Sequence, residues 1–325
     1  MEAANEKPSM SATSRKRIQR RGDSMEITAV SGKWWKDSYS ADEVEWVNCP
    51  LCGSSSYSQL AEERTLGIVC CSACHLVYVN PRVQIPRDRD GLEGALQKYG
   101  PIFAGLRPHN RDRNYLEHLR TIRTLKPAGR LLDVGTHCGF FLRMARNQGW
   151  ELHGVEPSPV KALLAREKFG LDVYTSYLED GLFSPESFDI VTMTDVLEHV
   201  AAPLELLSIV RKILKADGIL FIYAPNVRWN LIKYRALATF PKLSSSDSFD
   251  PRERPVQYSQ ETLTKMLEKA GFQVKKFYVP RPVQTGEWWK RGARSVAYNL
   301  ARGTFLCTGN LGPLATDLAC VAEKR

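Results

Sequence analysis

From residue 115 to the end, the chain alternates short unbroken apolar runs with longer stretches whose apolar positions recur every three or four residues. Tyr115, Leu119, Ile122 and Leu125 make a helical stripe, and Leu131, Leu132 and Val134 then form a compact run that reads as a buried strand. Further strands are predicted at 151–156, 172–174, 188–194 and 218–223, with two more at 272–279 and 317–323. Helices are predicted between them at 140–146, 159–168 and 203–214, where Leu206, Val210 and Ile213 share a face. Another follows Ser259, with Leu263, Met266, Leu267 and Ala270 on its inner side and Gly271 closing it. Strands that alternate with helices imply an α/β fold: a Rossmann-like, doubly wound, mostly parallel seven-stranded sheet with right-handed crossovers. Ligands of such sheets lie at the carboxyl ends of the strands, where Asp133, Glu156, Asp195 and Asn226 fall.

The first strand runs into Asp133-Val134-Gly135-Thr136-His137-Cys138-Gly139 and then a helix. Strand, glycine turn and helix together aim backbone N–H groups at a ligand, and Asp133 adds a carboxylate. Glu156 ends the second strand 21 positions beyond Gly135, the placement that lets an acid accept both hydroxyls of a ribose. The loop 175–179 after the third strand would reach the base of a nucleoside. Asp195-Val196-Leu197-Glu198-His199 follows the fourth strand. His199 beside Glu198 is the candidate general base, the alternative being a capping Glu198 and a merely packed His199.

Upstream the pattern changes to paired cysteines. Cys49-Pro-Leu-Cys52-Gly and Cys71-Ser-Ala-Cys74 are two Cys-x-x-Cys knuckles, each able to point two thiolates at one ion. Together they complete a tetrahedral sulfur site of the kind Zn²⁺ prefers, with no open position, so the expected zinc is structural. Cys70 and His75 adjoin the second knuckle, and either is chemically able to replace a neighbour. A redox dithiol is the other reading.

These patterns divide the chain into a basic tail (1–24) expected to be disordered, a zinc-ribbon module (25–81), a linker or active-site flap (82–114) and the α/β domain (115–325), with irregular or helical insertions at 227–257 and 281–312. Tyr99, Phe103 and His109 of the flap are placed to contact a substrate or to pack on the domain. The tail holds six basic and three acidic residues, leaving +6 of the net +9 on the rest. That excess suits an anionic ligand but does not specify nucleic acid. The basic aromatic stretch from Trp288 to Leu300 is compatible with weak contact at a membrane surface, or with a packed helix whose arginines snorkel. No apolar run reaches membrane-span length and the N-terminus lacks a signal-peptide core, which makes the cytoplasm the expected compartment. Oligomeric state is not legible.

Taken together, Asp133-Val-Gly135-x-x-x-Gly139, Val155-Glu156-Pro-Ser, Phe188-Asp189-Ile-Val and Asp195-Val-Leu-Glu198-His199 resemble a class I S-adenosylmethionine-dependent methyltransferase over about residues 115–280. The cysteine module is similar to the ribbon that precedes this domain in bacterial sugar, polysaccharide and natural-product methyltransferases, including zinc-ribbon C-methyltransferases. The Asp-Val-Leu-Glu-His segment resembles that of ubiquinone-biosynthesis O-methyltransferases. The resemblance implies that Asp133, Gly135 and Gly139 hold the methionine end of S-adenosylmethionine and Glu156 its ribose. It places the loop through Leu178 and Glu179 at the adenine, and Thr194 and Asp195 on the side open to the acceptor. The acceptor would be a small molecule or saccharide, lipid-linked acceptors included. His137 stands where the family usually has glycine; histidine tolerates such backbone angles better than bulkier residues, and its ring is also a candidate contact for the cofactor carboxylate. Two other classes compete. An NAD-dependent oxidoreductase would want Gly-x-Gly-x-x-Gly, whose second and third glycines are His137 and Phe140 here. A non-catalytic nucleic-acid-binding module would use the ribbon and the tail.

Overall fold

A computed structural model of the chain describes residues 16–18, 25–27, 39–83, 91–239, 248–283 and 288–325. Strands β1 (Lys16–Ile18) and β2 (Met25–Ile27) pair antiparallel, and the rest of the basic tail lies outside the described residues. Next come β3 (Val44–Glu45), β4 (Tyr57–Glu63), β5 (Leu66–Cys71), β6 (Val77–Val79) and β7 (Arg82–Val83) of the cysteine module. The helices α1 (Leu92–Phe103) and α2 (Asp112–Leu125) precede the alternating elements β8 (Gly129–Val134), α3 (Phe140–Ala145), β9 (Trp150–Val155), α4 (Pro159–Phe169), β10 (Asp172–Tyr174) and β11 (Phe188–Thr194). The chain continues through α5 (Pro203–Ile213), β12 (Leu214–Pro225), α6 (Val227–Thr239), β13 (Val256–Gln257), α7 (Gln260–Lys269), β14 (Phe272–Tyr278), α8 (Trp288–Thr308) and β15 (Asp317–Lys324).

Seven of these strands form the expected sheet, in the order β10-β9-β8-β11-β12-β15-β14. The first five run parallel, and β15 enters antiparallel between β12 and β14. Side chains alternate across each strand, so the apolar runs bury both faces. Leu131, Ile190, Ile219 and Phe221 face one side, where they meet Leu119 and Ile122 of α2, Phe141 of α3 and Ala165 of α4. Leu132, Val191, Leu220 and Ile222 face the other and meet Leu207 of α5 and Leu263 and Met266 of α7.

That second face also carries the cysteine module. Leu51, Val69, Leu76 and Tyr78 belong to the same buried cluster as α5 and α7. The module's sheet, in the order β13-β6-β5-β4, borrows its edge strand from far along the chain, with Val256 paired to Tyr78 and Gln257 to Val77.

Segment 82–114 contains α1, which buries Ala95, Tyr99 and Ile102 against Cys138, Phe140, Val160 and Leu164; residues 84–90 lie outside the described set. It therefore roofs the turn after β8. Beneath it Gly139 has φ +78, and a β-carbon there would stand 2.4 Å from Leu171 Cδ1 and 3.1 Å from Ala165 Cβ. Close packing of α4, together with the left-handed backbone, demands glycine. Gly139→Ala should cost about 2–3 kcal/mol of stability by strain and overpacking, read as a lower urea midpoint; an unchanged midpoint would refute this packing argument.

Candidate active site

The turn after β8 is built from left-handed residues: Gly135, His137 and Gly139 have φ of 69°, 55° and 78°. The N–H groups of Gly135 and Thr136 both donate to the Val155 carbonyl, at 2.8 and 3.1 Å, and Gly139 N–H closes the turn on Thr136 O at 2.9 Å. A β-carbon on Gly135 would lie 2.7 Å from Val196 Cγ2, so this glycine admits the loop after β11.

Glu156 is buried, and both of its carboxylate oxygens are engaged. His137 N–H donates to Oε2 at 2.8 Å and Ser158 N–H to Oε1 at 3.0 Å. Asp133 lies deeper, 3% exposed, and accepts from the Thr192 hydroxyl at 2.6 Å. Burial pushes this carboxyl up to about 7, reinforced by the Glu156 charge and opposed by the Thr192 hydrogen bond.

The His137 ring turns toward α1. Cys138 N–H donates to its Nδ1 at 2.7 Å, so Nε2 carries the proton and faces the Tyr99 hydroxyl at 3.2 Å. Nδ1 thus braces the turn itself and Nε2 ties it to its roof. Leu178 is buried in the main core, and Glu179 is exposed on the loop beyond β10. Thr194 Oγ1 is buried without a hydrogen-bond partner among the described residues. Asp195, at φ 53°, forms an ion pair with Arg111. Asn226 is fully buried and donates to the Ala315 carbonyl at 2.8 Å, a structural role.

A single 3₁₀ turn, Leu197–His199, presents the candidate base. His199 Nδ1 lies 2.6 Å from the Glu253 carbonyl. A carbonyl only accepts, so Nδ1 is the protonated nitrogen and Nε2 keeps its lone pair. Burial lowers the His199 pKa and the Arg254 charge lowers it further, against the Glu253 carbonyl and Asp195, which raise it. Glu198 Oε1 stands 3.8 Å from Nε2. Glu198 is 2% exposed with neither oxygen hydrogen-bonded among the described residues. Burial raises its carboxyl to about 8, Asp195 adds to the rise and Arg254 opposes it. Beside this turn a cavity of about 190 Å³ is lined by Arg111, Asp195, Tyr223, Arg254, Arg294 and Asp317, among others.

The four thiols predicted as ligands, Cys49, Cys52, Cys71 and Cys74, have all their sulfurs within 4.8 Å of one another. Strand alternation sends Cys70 to the opposite side of β5, against the Ala61–Phe249 cluster, and His75 is exposed outside the group. Burial would raise Cys71, yet the Cys74 and Ala73 amides and the Cys52 and Cys74 thiols together outweigh it and bring this thiol down to about 7.

Arg111 and Arg254 were not signalled by any local motif. Tyr99, expected either to contact a substrate or to pack on the domain, packs there from the buried face of α1 with Ala95 and Ile102.

The parallel sheet with its antiparallel last strand, the glycine turn and the acid after β9 define a class I S-adenosylmethionine-dependent methyltransferase. Residues 108–276 match the methyltransferase domain family, over half of the chain, and the chain belongs to that family. A ubiquinone biosynthesis O-methyltransferase of Cereibacter sphaeroides is 34% identical over 96 residues, 28% of this chain and 39% of that protein. One from Xanthomonas campestris pv. campestris is 30% identical over 110 residues, 32% of this chain and 46% of that protein. The chain therefore spans less than half the length of these curated relatives. Among solved structures, a methyltransferase of Thermotoga maritima described as a possible histamine N-methyltransferase is 20% identical, covering 71% of this chain and 96% of that one with a TM-score of 0.46. An Archaeoglobus fulgidus S-adenosylmethionine-dependent methyltransferase is 22% identical, covering 66% and 94% with a TM-score of 0.46. The family match favours neither the oxidoreductase nor the nucleic-acid-binding alternative. No described helix is long and apolar enough to cross a membrane.

Asp133 gives this site a pH signature. Its folded pKa lies above the ordinary carboxyl value of 3.8, so the folded state holds the proton more tightly. The resulting stabilisation is complete below about pH 3.8 and is lost as pH rises to about 7. Relative to Asp133→Asn, the wild-type chain should lose on the order of 2–4 kcal/mol between pH 4 and 7.5. Parallel urea melts at the two pH values check this; equal pH dependence in both proteins would contradict the burial of Asp133.

Proposed function

We propose that the chain transfers a methyl group from S-adenosylmethionine to an oxygen or carbon of a small-molecule or saccharide acceptor, with His199 as the general base. The observation that carries this reading is the pinned His199 tautomer, Nδ1 held by the Glu253 carbonyl and Nε2 left with its lone pair, in the turn that follows β11. When bound, the donor supplies an electrophilic methyl group on a sulfonium. Glu156 is suited to accept from the ribose hydroxyls, and the turn through Asp133, Gly135 and Gly139 to border the methionine end. His137 would contribute through its backbone, since its ring is occupied by Tyr99 and Cys138. Leu178 and Glu179 would flank the adenine, while Thr194 and Asp195 face the acceptor. The protein's own work is then to align the acceptor, exclude water and take up one proton at His199 Nε2. An imidazolium there favours the ionised form of Glu198, 3.8 Å away, so the pair shares the charge.

Cofactor binding and proton removal separate experimentally. Calorimetric titration should show that Glu156→Ala weakens S-adenosylmethionine at least tenfold. His199→Ala should leave that affinity within twofold and lower methyl transfer to a saccharide and phenol panel by roughly 100-fold or more. Wild-type chain that does not bind S-adenosylmethionine would end the proposal, and undiminished turnover in His199→Ala would end the base assignment.

We also assign a structural Zn²⁺ to the four thiolates, whose donor set is complete and leaves no position for catalysis. Elemental analysis should find one zinc per chain, lost in Cys49→Ser/Cys74→Ser, with a thermal midpoint lowered by 10 °C or more. A metal-free wild-type protein of undiminished stability would refute the assignment.

A further inference from the structure

Helix α8 carries an apolar stripe that the other described residues leave uncovered. Its inner face packs on the protein: Ala297 and Ala301 are buried, and Phe305 lies against the main core. Ala293, Val296, Leu300, Gly303 and Cys307 recur at spacings of three and four, which sets them along another face, and all five are exposed. Val296 is 60% exposed and Leu300 55%, with Leu306 beside them at 75%. Apolar residues scattered singly on a surface are ordinary, whereas a run of them along one helix face marks a contact.

Charge says what the contact is with. Between Arg281 and Thr316 the chain holds five basic residues, Arg281, Lys290, Arg291, Arg294 and Arg302, against one acid, Glu287. Arg281 is paired with Glu117, and Arg294 turns inward to the Val283 carbonyl and the cavity beside Asp195. Arg291 and Arg302 are exposed, and helical spacing puts them at one edge of the uncovered face. A second copy of the chain would set two such basic helices against each other, with few acids to answer them. A bilayer with anionic headgroups meets both features at once, its phosphates taking the arginines and its acyl boundary the apolar side chains. Four charged residues within 21 keep α8 from being a membrane span, so it would lie along the surface.

We propose that α8 docks the protein on an anionic membrane surface, with Val296, Leu300 and Leu306 in the headgroup boundary and Arg291 and Arg302 on the phosphates. Docking itself is independent of the methyl-transfer reading. Its consequence rests on that reading: α8 borders the Asp195 cavity through Arg294, so docking would favour a lipid-linked acceptor.

The full chain is sedimented with vesicles of phosphatidylcholine, alone or with about 30 mol% phosphatidylglycerol. We expect saturable binding to the anionic vesicles, at least tenfold weaker on the neutral ones and in about 0.5 M salt. Leu300→Asp and, separately, Arg291→Gln/Arg302→Gln should each weaken binding at least fivefold. Leu106→Asp, at a more exposed leucine just beyond α1, should stay within twofold of wild type. The arginine pair is exposed, so its variant decides the matter should Leu300→Asp fail to fold. No binding to anionic vesicles, or equal binding to neutral ones, would overturn the proposal. Binding indifferent to both α8 variants would assign it to the basic tail and overturn it too. A concentration-dependent dimer that Leu300→Asp abolishes would give the face to a second copy instead. None of these readouts needs donor or acceptor, so failure of the methyl-transfer reading leaves them decisive.

Discussion

The Glu156 carboxylate is the constraint on which the mouth of the sheet depends. It accepts one backbone N–H from the turn after β8 and another from the residue that caps α4. Hydrogen bonds to an ionised group contribute about 1.5–3 kcal/mol each, enough to offset the left-handed backbone at His137. The left-handed His137 presents its N–H to Glu156, while Gly135 and Thr136 donate to the carbonyl of Val155. Glu156 N–H in turn bonds the Tyr174 carbonyl and fixes the end of β10. The shape of the turn is therefore set by its neighbouring strand before any ligand arrives, which is what a largely pre-formed site requires.

A second chain of support runs from the cysteine knuckles to the candidate base. The four thiols hold the loops on either side of β4 and β5, and β6 pairs with β13. Val79 N–H donates to the Pro255 carbonyl at 2.9 Å, so the ribbon fixes residues 253–257. Within that stretch the Glu253 carbonyl selects the His199 tautomer and Arg254 enters the cavity. Arg82 adds a bond to the Ala201 carbonyl at 3.0 Å, just beyond the 3₁₀ turn. The ribbon is thus part of the scaffold around the 3₁₀ turn, joined to the sheet through a shared apolar face and a shared edge strand.

How much of this could be read from residues follows from the range of each interaction. β8, β9, β11 and β12 were legible because a strand buried on both faces must be an unbroken apolar run. The knuckles were legible because Cys-x-x-Cys is local, and their assembly needed only the ribbon spacing. Helix α1 was harder to see, because Gly100-Pro101 reads as a break; the proline is accommodated near the helix end, and Ala95, Tyr99 and Ile102 still face inward. Pairings such as Arg111 with Asp195, 84 residues apart, or β13 with β6 leave no local trace. Their partners meet only once the crossovers have formed. The His137 ring was assigned between backbone tolerance and cofactor contact, and its binding to Tyr99 depended on that unrecognised helix.

The electrostatics at the strand ends suit a donor whose positive charge disappears during reaction. An unpaired carboxylate facing such a group would stabilise the ground state more than the transition state and slow the chemistry. Asp133 is buried, held by Thr192, and raised toward neutrality. Asp195 is matched by Arg111, and Glu156 is engaged by two amides. Glu198, beside His199, is also raised by burial. The acidic residues at the mouth are therefore partnered or raised toward neutrality and do not gather into a bare negative cluster.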